Sequence, residues 1–324
     1  MDELELIDRF FRPLAGKGAL GLLDDAGFLA PAAGEDLVLT KDMIAENVHF
    51  LSGDPPASVA RKALRVNLSD LAAKGARPLG YLMALATSEA CDEAWLEDFC
   101  QGLKGDQELY GIDLIGGDTI ASPDRVTVSI TAIGALPRGT MVHRTGGRPG
   151  DALYLSGAIG GSGAGLALLQ GRAGEGLSQT ERARLISRYR EPQPRVALAE
   201  AVQRHASAAI DISDGLAGDA DKLAAASGVS AVIDAGKVPL DPAVAALEGK
   251  GFSLQEALTG GDDYEILAAV PRAGEDAFRQ AAARAGVPLA RIGELAEGEG
   301  RARLMKDGAE MELTHRAFVH GGAK

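Results

Sequence analysis

The stretch from Ser58 to Pro78 sets the strongest constraint on the fold. Pro55 and Pro56 precede it, Ser58 is a candidate cap, and Gly75 offers a left-handed stop with Pro78 shortly beyond. One long helix is predicted. Ala60, Leu64, Leu68 and Leu71 form one apolar stripe; Val59, Ala63 and Val66 form another that Asp70 continues. A helix apolar on most sides is a buried helix. Its C-terminal half nevertheless carries Asn67 and Asp70 one turn apart. A buried carboxylate is costly unless paired or metal-bound. Either Lys74, one turn on, neutralises Asp70, or a cation does.

The remaining chain alternates helical and extended patterns. Helices fit 3–14, 92–110, 180–189, 195–205, 216–227 and 275–285, and strands fit 36–40, 78–87, 112–115, 125–136, 152–156, 229–234, 266–270, 289–292 and 303–305. A strand ends near Asp211, a glycine-rich turn opens a helix through Leu169, and Lys306-Asp307-Gly308 is a turn. The expectation is a mixed α/β (α+β) chain of two domains, 1–138 and 139–324, divided at Pro137-Arg138-Gly139. Gly16-Lys17-Gly18-Ala19-Leu20-Gly21 matches GxGxxG, but it follows a helix and runs into Asp24-Asp25. A dinucleotide site must follow a strand and open a helix, so a flexible glycine loop is expected.

Carboxylates recur with one local style. Asp25, Asp42, Asp70, Asp118, Asp211, Asp214 and Asp262 mostly stand where an apolar run stops, beside Gly, Ser or Thr. In open α/β sheets ligands bind at such ends. A single Asp there is usually a turn former or a cap, and Asp214 suits the cap of the next helix. Seven that converged would repel severely without cations. Carboxylates with few His or Cys suit oxygen-loving Mg²⁺ better than zinc. The net charge of −13 argues against nucleic acid or an anionic membrane as partner. Glycine-rich loops and Arg144 offer N–H groups and a fixed charge to a polyphosphate. No GxxxxGK[ST], HRD or DFG motif occurs, and Cys91 and Cys100 are not in CxxC spacing. An acidic Met1-Asp2-Glu3 start and the lack of a membrane-length apolar run suggest a cytoplasmic protein. The residues alone point to a Mg²⁺-nucleotide enzyme outside the common motif classes.

Asp24-Asp25-Ala26, Lys41-Asp42 with His49-Phe50, the run from Asn67 to Gly75, Gly116-Gly117-Asp118-Thr119, Arg144, Asp211-Ile212-Ser213-Asp214-Gly215-Leu216 and Gly260-Gly261-Asp262-Asp263-Tyr264-Glu265 follow in this order. In this ordered set the chain resembles, over nearly its whole length, the thiamine-monophosphate kinase family. That family shares a superfamily with aminoimidazole ribonucleotide synthetase. The resemblance implies the two-domain aminoimidazole ribonucleotide synthetase-like fold and a homodimer whose N-terminal domains pair through their strands. It implies transfer from ATP to thiamine monophosphate, giving ADP and thiamine diphosphate with several Mg²⁺ ions, the last step in making that cofactor. By position it implies Mg²⁺ ligands at Asp25, Thr40, Lys41, Asp42, Asp70, Asp118, Asp211 and Asp214. It implies ATP contacts at Gly117, Asp118, Arg144 and Ser213, and acceptor contacts at His49, Asp262 and Phe318. No catalytic base is implied, because the acceptor phosphate is already anionic.

Three positions depart from the family pattern. Lys41 stands where Thr is frequent, which leaves a backbone carbonyl as the ligand; its ammonium either touches a phosphate or points to solvent. Asp262 stands where Glu is frequent, and its shorter arm calls for a bridging water. Phe318 stands where Tyr is possible and keeps a stacking surface without the hydroxyl. His49 either meets the substrate or packs beside Phe50, and Arg144 is either an ATP contact or a surface charge. His143, His205, His315 and His320 receive no role. A selenophosphate synthetase would carry a reactive Cys near its start and a hydrogenase-maturation protein a final Cys, neither of which occurs. Turnover separates aminoimidazole ribonucleotide synthetase and a non-catalytic nucleotide sensor.

Overall fold

Two units make up the chain, residues 1–71 with 76–140 and residues 72–75 with 141–324. The computed structural model describes residues 3–318, so His320 and the final Gly321-Gly322-Ala323-Lys324 lie outside the described residues.

The first unit opens on a helical segment that changes its winding. α1 (Glu3–Leu6) passes into a π-helical turn over Ile7–Phe11 and a 3₁₀ turn over Arg12–Leu14. The regular helix expected over 3–14 is therefore broken: Pro13 supplies no N–H, and neighbouring Phe10 and Phe11 are both buried while Leu4 is exposed. The stretch after it is not a loose loop. Lys17–Leu22 forms 3₁₀ turns, and a Cβ on Gly18 would lie 2.1 Å from the Phe28 carbonyl oxygen. Close backbone approach is what glycine supplies there.

β1 (Glu35–Ala45), α2 (Pro56–Ala73), β2 (Arg77–Thr87), α3 (Glu93–Tyr110), β3 (Asp113–Ala121) and β4 (Thr127–Pro137) complete the unit. The sheet runs β1-β4-β2-β3, antiparallel except for β2–β3. As expected, α2 is buried on nearly every side, with every residue from 62 to 69 enclosed. It begins at Pro56, whose missing N–H costs nothing in a first turn. Ser58 instead donates its hydroxyl to the Pro55 carbonyl at 2.7 Å. Gly75, at φ 79°, ends the helix, with Ala76 N–H donating to Leu71 O at 2.9 Å. Buried Arg65 forks onto Asp106 of α3 at 2.7 Å. β1 and β3 outrun their predicted ends. β1 continues through Lys41-Asp42 to Ala45, paired residue for residue with β4, and β3 continues through Gly116-Gly117-Asp118-Thr119. Ladder pairing overrides the local polar signal, so Asp42 and Asp118 lie inside strands.

The second unit contains β5 (Ala152–Ser156), α4 (Gly161–Leu169), α5 (Gln179–Arg190), α6 (Ala199–His205), β6 (Ala208–Asp211), α7 (Leu216–Ser227), β7 (Ser230–Asp234), α8 (Leu254–Thr259), β8 (Ile266–Val270), α9 (Glu275–Arg284), β9 (Leu289–Ala296), β10 (Ala302–Lys306) and β11 (Ala309–Glu310). Its sheet runs β11-β10-β7-β9-β5-β8-β6, with β7–β10 as the parallel pair. Side chains alternate between two cores. Leu153, Leu155, Ile210 and Leu267 pack with α7 on one side, and Tyr154, Ala209 and Ala268 pack with Phe278 on the other. Burial on both faces explains the nearly continuous apolar strands. Asp307 and Gly308, at φ 52° and 84°, form the expected turn between β10 and β11.

Candidate active site

Strand alternation divides the first unit's predicted ligands between two sheet faces. Thr40 and Asp42 share the face toward α2. Thr40 Oγ1 donates to Asp70 Oδ2 at 2.5 Å, and Asp42 N–H donates to Asn67 Oδ1 at 3.0 Å. Lys41 lies on the other face, where its Nζ meets Ser129 Oγ at 2.6 Å. A cavity of about 830 Å³ opens there, lined by Asp25, Lys41, Gly117 and Asp118 with Phe11 and Phe28 among its apolar walls. Lys41 therefore ends at a cavity wall instead of pointing only into solvent. Asp118 Oδ1 accepts the Thr119 N–H at 2.9 Å. His49 is pinned at the end of β1: its Nδ1 accepts the Ala45 N–H at 3.1 Å. In a neutral ring this leaves the proton on Nε2.

In the second unit, backbone hydrogen bonds sew together three segments far apart in sequence. Ile212 N–H donates to Glu265 O at 2.7 Å, Tyr264 N–H to Ile212 O at 2.8 Å, Asp262 N–H to Ser213 O at 2.7 Å, and Phe318 N–H to Asp214 O at 2.9 Å. The predicted residues Asp211, Ser213, Asp214, Asp262 and Phe318 thus share the end of β6. Glycine permits the approach: a Cβ on Gly261, at φ 71°, would lie 2.4 Å from Ser213 O. Asp262 itself is left-handed, at φ 66°, a conformation that side chains rarely adopt. Its Oδ2 accepts from Ser162 Oγ at 3.3 Å.

Sequence reasoning did not single out the acids that brace this end. Asp219 is fully buried, and its Oδ2 accepts the N–H groups of both Ser213 and Asp214, at 3.0 and 2.9 Å. Its Oδ1 accepts from Lys222 Nζ at 2.7 Å, and Lys222 also pairs with Asp214. Burial holds the Asp219 carboxyl above its usual range, against the opposing pull of Lys222. Burial works against the Lys222 charge, but its two carboxylate partners keep the ammonium above its ordinary value. Asp263 is enclosed at the start of α4, accepting the Gly160 N–H at 3.0 and 2.9 Å. Burial pushes its carboxyl up to about 8 despite those hydrogen bonds, and Glu265 and Asp262 add to the rise. Glu265, also fully buried, accepts from Arg195 Nε and Ser156 Oγ, each at 2.6 Å. The available signal for Asp219 was its spacing, since it stands three residues before Lys222 on one helix face. Arg144 is exposed, and its carbonyl accepts from Ser227 Oγ at 2.7 Å.

Among the described residues, no three His, Cys, Asp or Glu side chains gather so as to hold a metal ion alone. Mg²⁺ that accompanies a nucleotide needs only one or two carboxylates, with phosphate oxygens and water completing its shell. The all-oxygen donors Asp70 with Thr40, Asp25 and Asp118 at the cavity, and Asp211 with Asp214 fit that requirement. Among the described residues no helix is long and apolar enough to cross a membrane.

Comparison with known proteins follows the same division. Residues 23–136 match AIR synthase related protein, N-terminal domain, and residues 148–305 match AIR synthase related protein, C-terminal domain. A thiamine-monophosphate kinase of Caulobacter vibrioides is 42% identical over 329 residues, covering 98% of this chain and 91% of that protein. The crystal structure of thiamine-monophosphate kinase from Stenotrophomonas maltophilia K279a is 37% identical with a TM-score of 0.84, covering 95% of this chain and 97% of that one. AaThiL complexed with AMPPCP and TMP is 33% identical with a TM-score of 0.77, covering 98% and 97%.

Proposed function

Since the chain belongs to the AIR synthase related family and, within it, to the thiamine-monophosphate kinases, we propose that it moves the γ-phosphoryl group of ATP to thiamine monophosphate, giving thiamine diphosphate and ADP. The nucleophile is a phosphate oxygen, already anionic near neutral pH, so no side chain has to remove a proton. The difficulty is to bring two anions together on a chain of net charge −13. Mg²⁺, when bound, screens that repulsion and neutralises charge in an in-line transfer. In this reading several ions are held by Asp25, Thr40, Asp42, Asp70, Asp118, Asp211 and Asp214, with Lys41 contributing its carbonyl.

The chain's own task is positioning. Gly117, Asp118, Arg144 and Ser213 orient ATP. His49, Asp262 and Phe318 orient the acceptor, and the half-exposed Phe318 ring offers a flat face to a heteroaromatic ring. The reading includes a cytoplasmic homodimer that pairs first-unit strands. Edge strand β1 suits this, since it exposes Leu39 by 65% and Met43 by 60%. The observation that carries the proposal is the backbone stitching of Ser213-Asp214 to Asp262 and Phe318.

Purified protein with ATP, Mg²⁺ and thiamine monophosphate is expected to yield thiamine diphosphate and ADP in equal amounts by chromatography. Binding of both substrates without product, or turnover of formylglycinamidine ribonucleotide instead, would refute it.

A further inference from the structure

The last described residues lie as a strap along α7. Met311 N–H donates to Leu304 O at 2.8 Å. Gln255 Nε2 then donates to Thr314 Oγ1, and His315 Nε2 lies 3.0 Å from Thr259 Oγ1. Arg316 forks onto Asp221, with Nε and Nη2 donating at 2.5 and 2.9 Å. Both partners also grip Ala302: Arg316 donates to its carbonyl at 2.6 Å, and Asp221 accepts its N–H at 2.7 Å. At the next residue the strap lies flush against the helix, because a Cβ on Gly218 would come within 2.5 Å of Ala317 Cβ. Phe318 N–H then reaches Asp214 O at 2.9 Å. The contacts run antiparallel to α7 and the turn before it: residue 316 on 221, 317 on 218, and 318 on 214 just ahead of the helix. A two-pronged guanidinium–carboxylate pair admits one register, and a slip of one residue would carry Phe318 about 3.3 Å along the helix.

We propose that Arg316 and Asp221 are positioning residues for the acceptor. Their ion pair, with Ala317 seated next to it against the bare surface of Gly218, sets the register of the strap and so holds Phe318 beside Asp214 and Asp262. The inference rests on the reading of Phe318 as an acceptor contact. Arg316 and Asp221 act through Phe318.

Michaelis constants for thiamine monophosphate and for ATP, measured on the full chain, test it in five proteins: wild type, Arg316→Met, Asp221→Asn, Phe318→Ala and the double variant Arg316→Met with Phe318→Ala. Thermal midpoints are read alongside. Arg316→Met and Asp221→Asn are expected to raise the acceptor KM about tenfold while the ATP KM stays within about twofold. Arg316→Met is expected to add nothing once Phe318 is gone, since residues acting through one contact are not additive. Asp221→Asn keeps an acceptor for the Ala302 N–H, so it reads the ion pair even if Arg316→Met folds poorly. Equal rises in both constants, or an additive double variant, overturn the proposal. Wild type that forms no thiamine diphosphate sinks the functional reading and this inference with it. Normal wild-type turnover without the KM split removes the positioning role alone.

Discussion

Removal of Asp219 tests whether a buried carboxylate shapes the end of β6. In Asp219→Ala the Ser213 and Asp214 N–H groups, held at 3.0 and 2.9 Å, lose their acceptor. A fully buried donor left unmet costs about 1–3 kcal/mol, or about 2–6 kcal/mol for two, and the part-buried setting of these bonds keeps the loss in the lower half of that range. Part of this is offset, because burying the Asp219 charge is itself unfavourable, as its raised pKa shows. The Lys222 ion pair adds little, since that side chain is 39% exposed and retains Asp214. A net loss of about 3 kcal/mol is expected, which for a unit of this size lowers the thermal midpoint by roughly 6–12 °C. Asp219→Asn separates shape from charge. Both N–H groups go to the same oxygen, Oδ2, and one amide carbonyl can replace it, so the expected loss is about 1 kcal/mol. Urea unfolding followed by circular dichroism reads both variants, with unchanged slopes as the control. An Ala variant within about 1 kcal/mol of wild type, or Asn and Ala variants that fall together, would refute the clamp.

Asp70→Asn keeps an acceptor for Thr40 Oγ1, now 2.5 Å away, so the fold should survive while turnover drops at least about 100-fold; near-normal activity across a Mg²⁺ titration excludes Asp70 as a ligand. The buried Asp263 makes stability depend on pH. Its unfolded carboxyl loses the proton at the ordinary value of 3.8, and burial holds the folded carboxyl's proton until about 8. Between these values the folded state binds more protons, so stability falls as pH rises, by up to about 1.4 kcal/mol per unit. Asp263→Asn should flatten that window, and parallel curves for variant and wild type would show that Asp263 does not titrate there.

The two units were legible to different depths. α2 was readable because Ala60, Leu64, Leu68 and Leu71, and Val59, Ala63 and Val66, recur at helical spacing, although six of the thirteen residues from Val59 to Leu71 are polar. The reach of β1 and β3 was not, because Lys41-Asp42 and Gly116-Gly117-Asp118 break the local pattern and only pairing with β4 and β2 extends them. Asp211, Asp214 and Asp262 stood out through their Ser and Gly neighbours. Asp219 and Asp263 did not: an acid three residues before Lys222 reads as an exposed pair, and Asp263 reads as one more solvated charge. Their burial follows from Gly215 and Gly261, which let distant backbones touch. The strap lacks any period, so Arg316 carried no signal until Asp221 was found opposite it.

The Lys222 ammonium, set between Asp214 and Asp219, changes what divalent ions mean to this protein. A chain that crowds carboxylates at a ligand site often cannot fold until metal arrives, and a chelator then denatures it. Here an internal counter-ion already sits between the two acids and offsets one of their charges. Exhaustive treatment with EDTA should therefore stop turnover yet leave the melting profile of the second unit in place, and added Mg²⁺ should restore activity without a refolding lag. That outcome would mean that the ion arrives with the nucleotide and is no part of the folded scaffold.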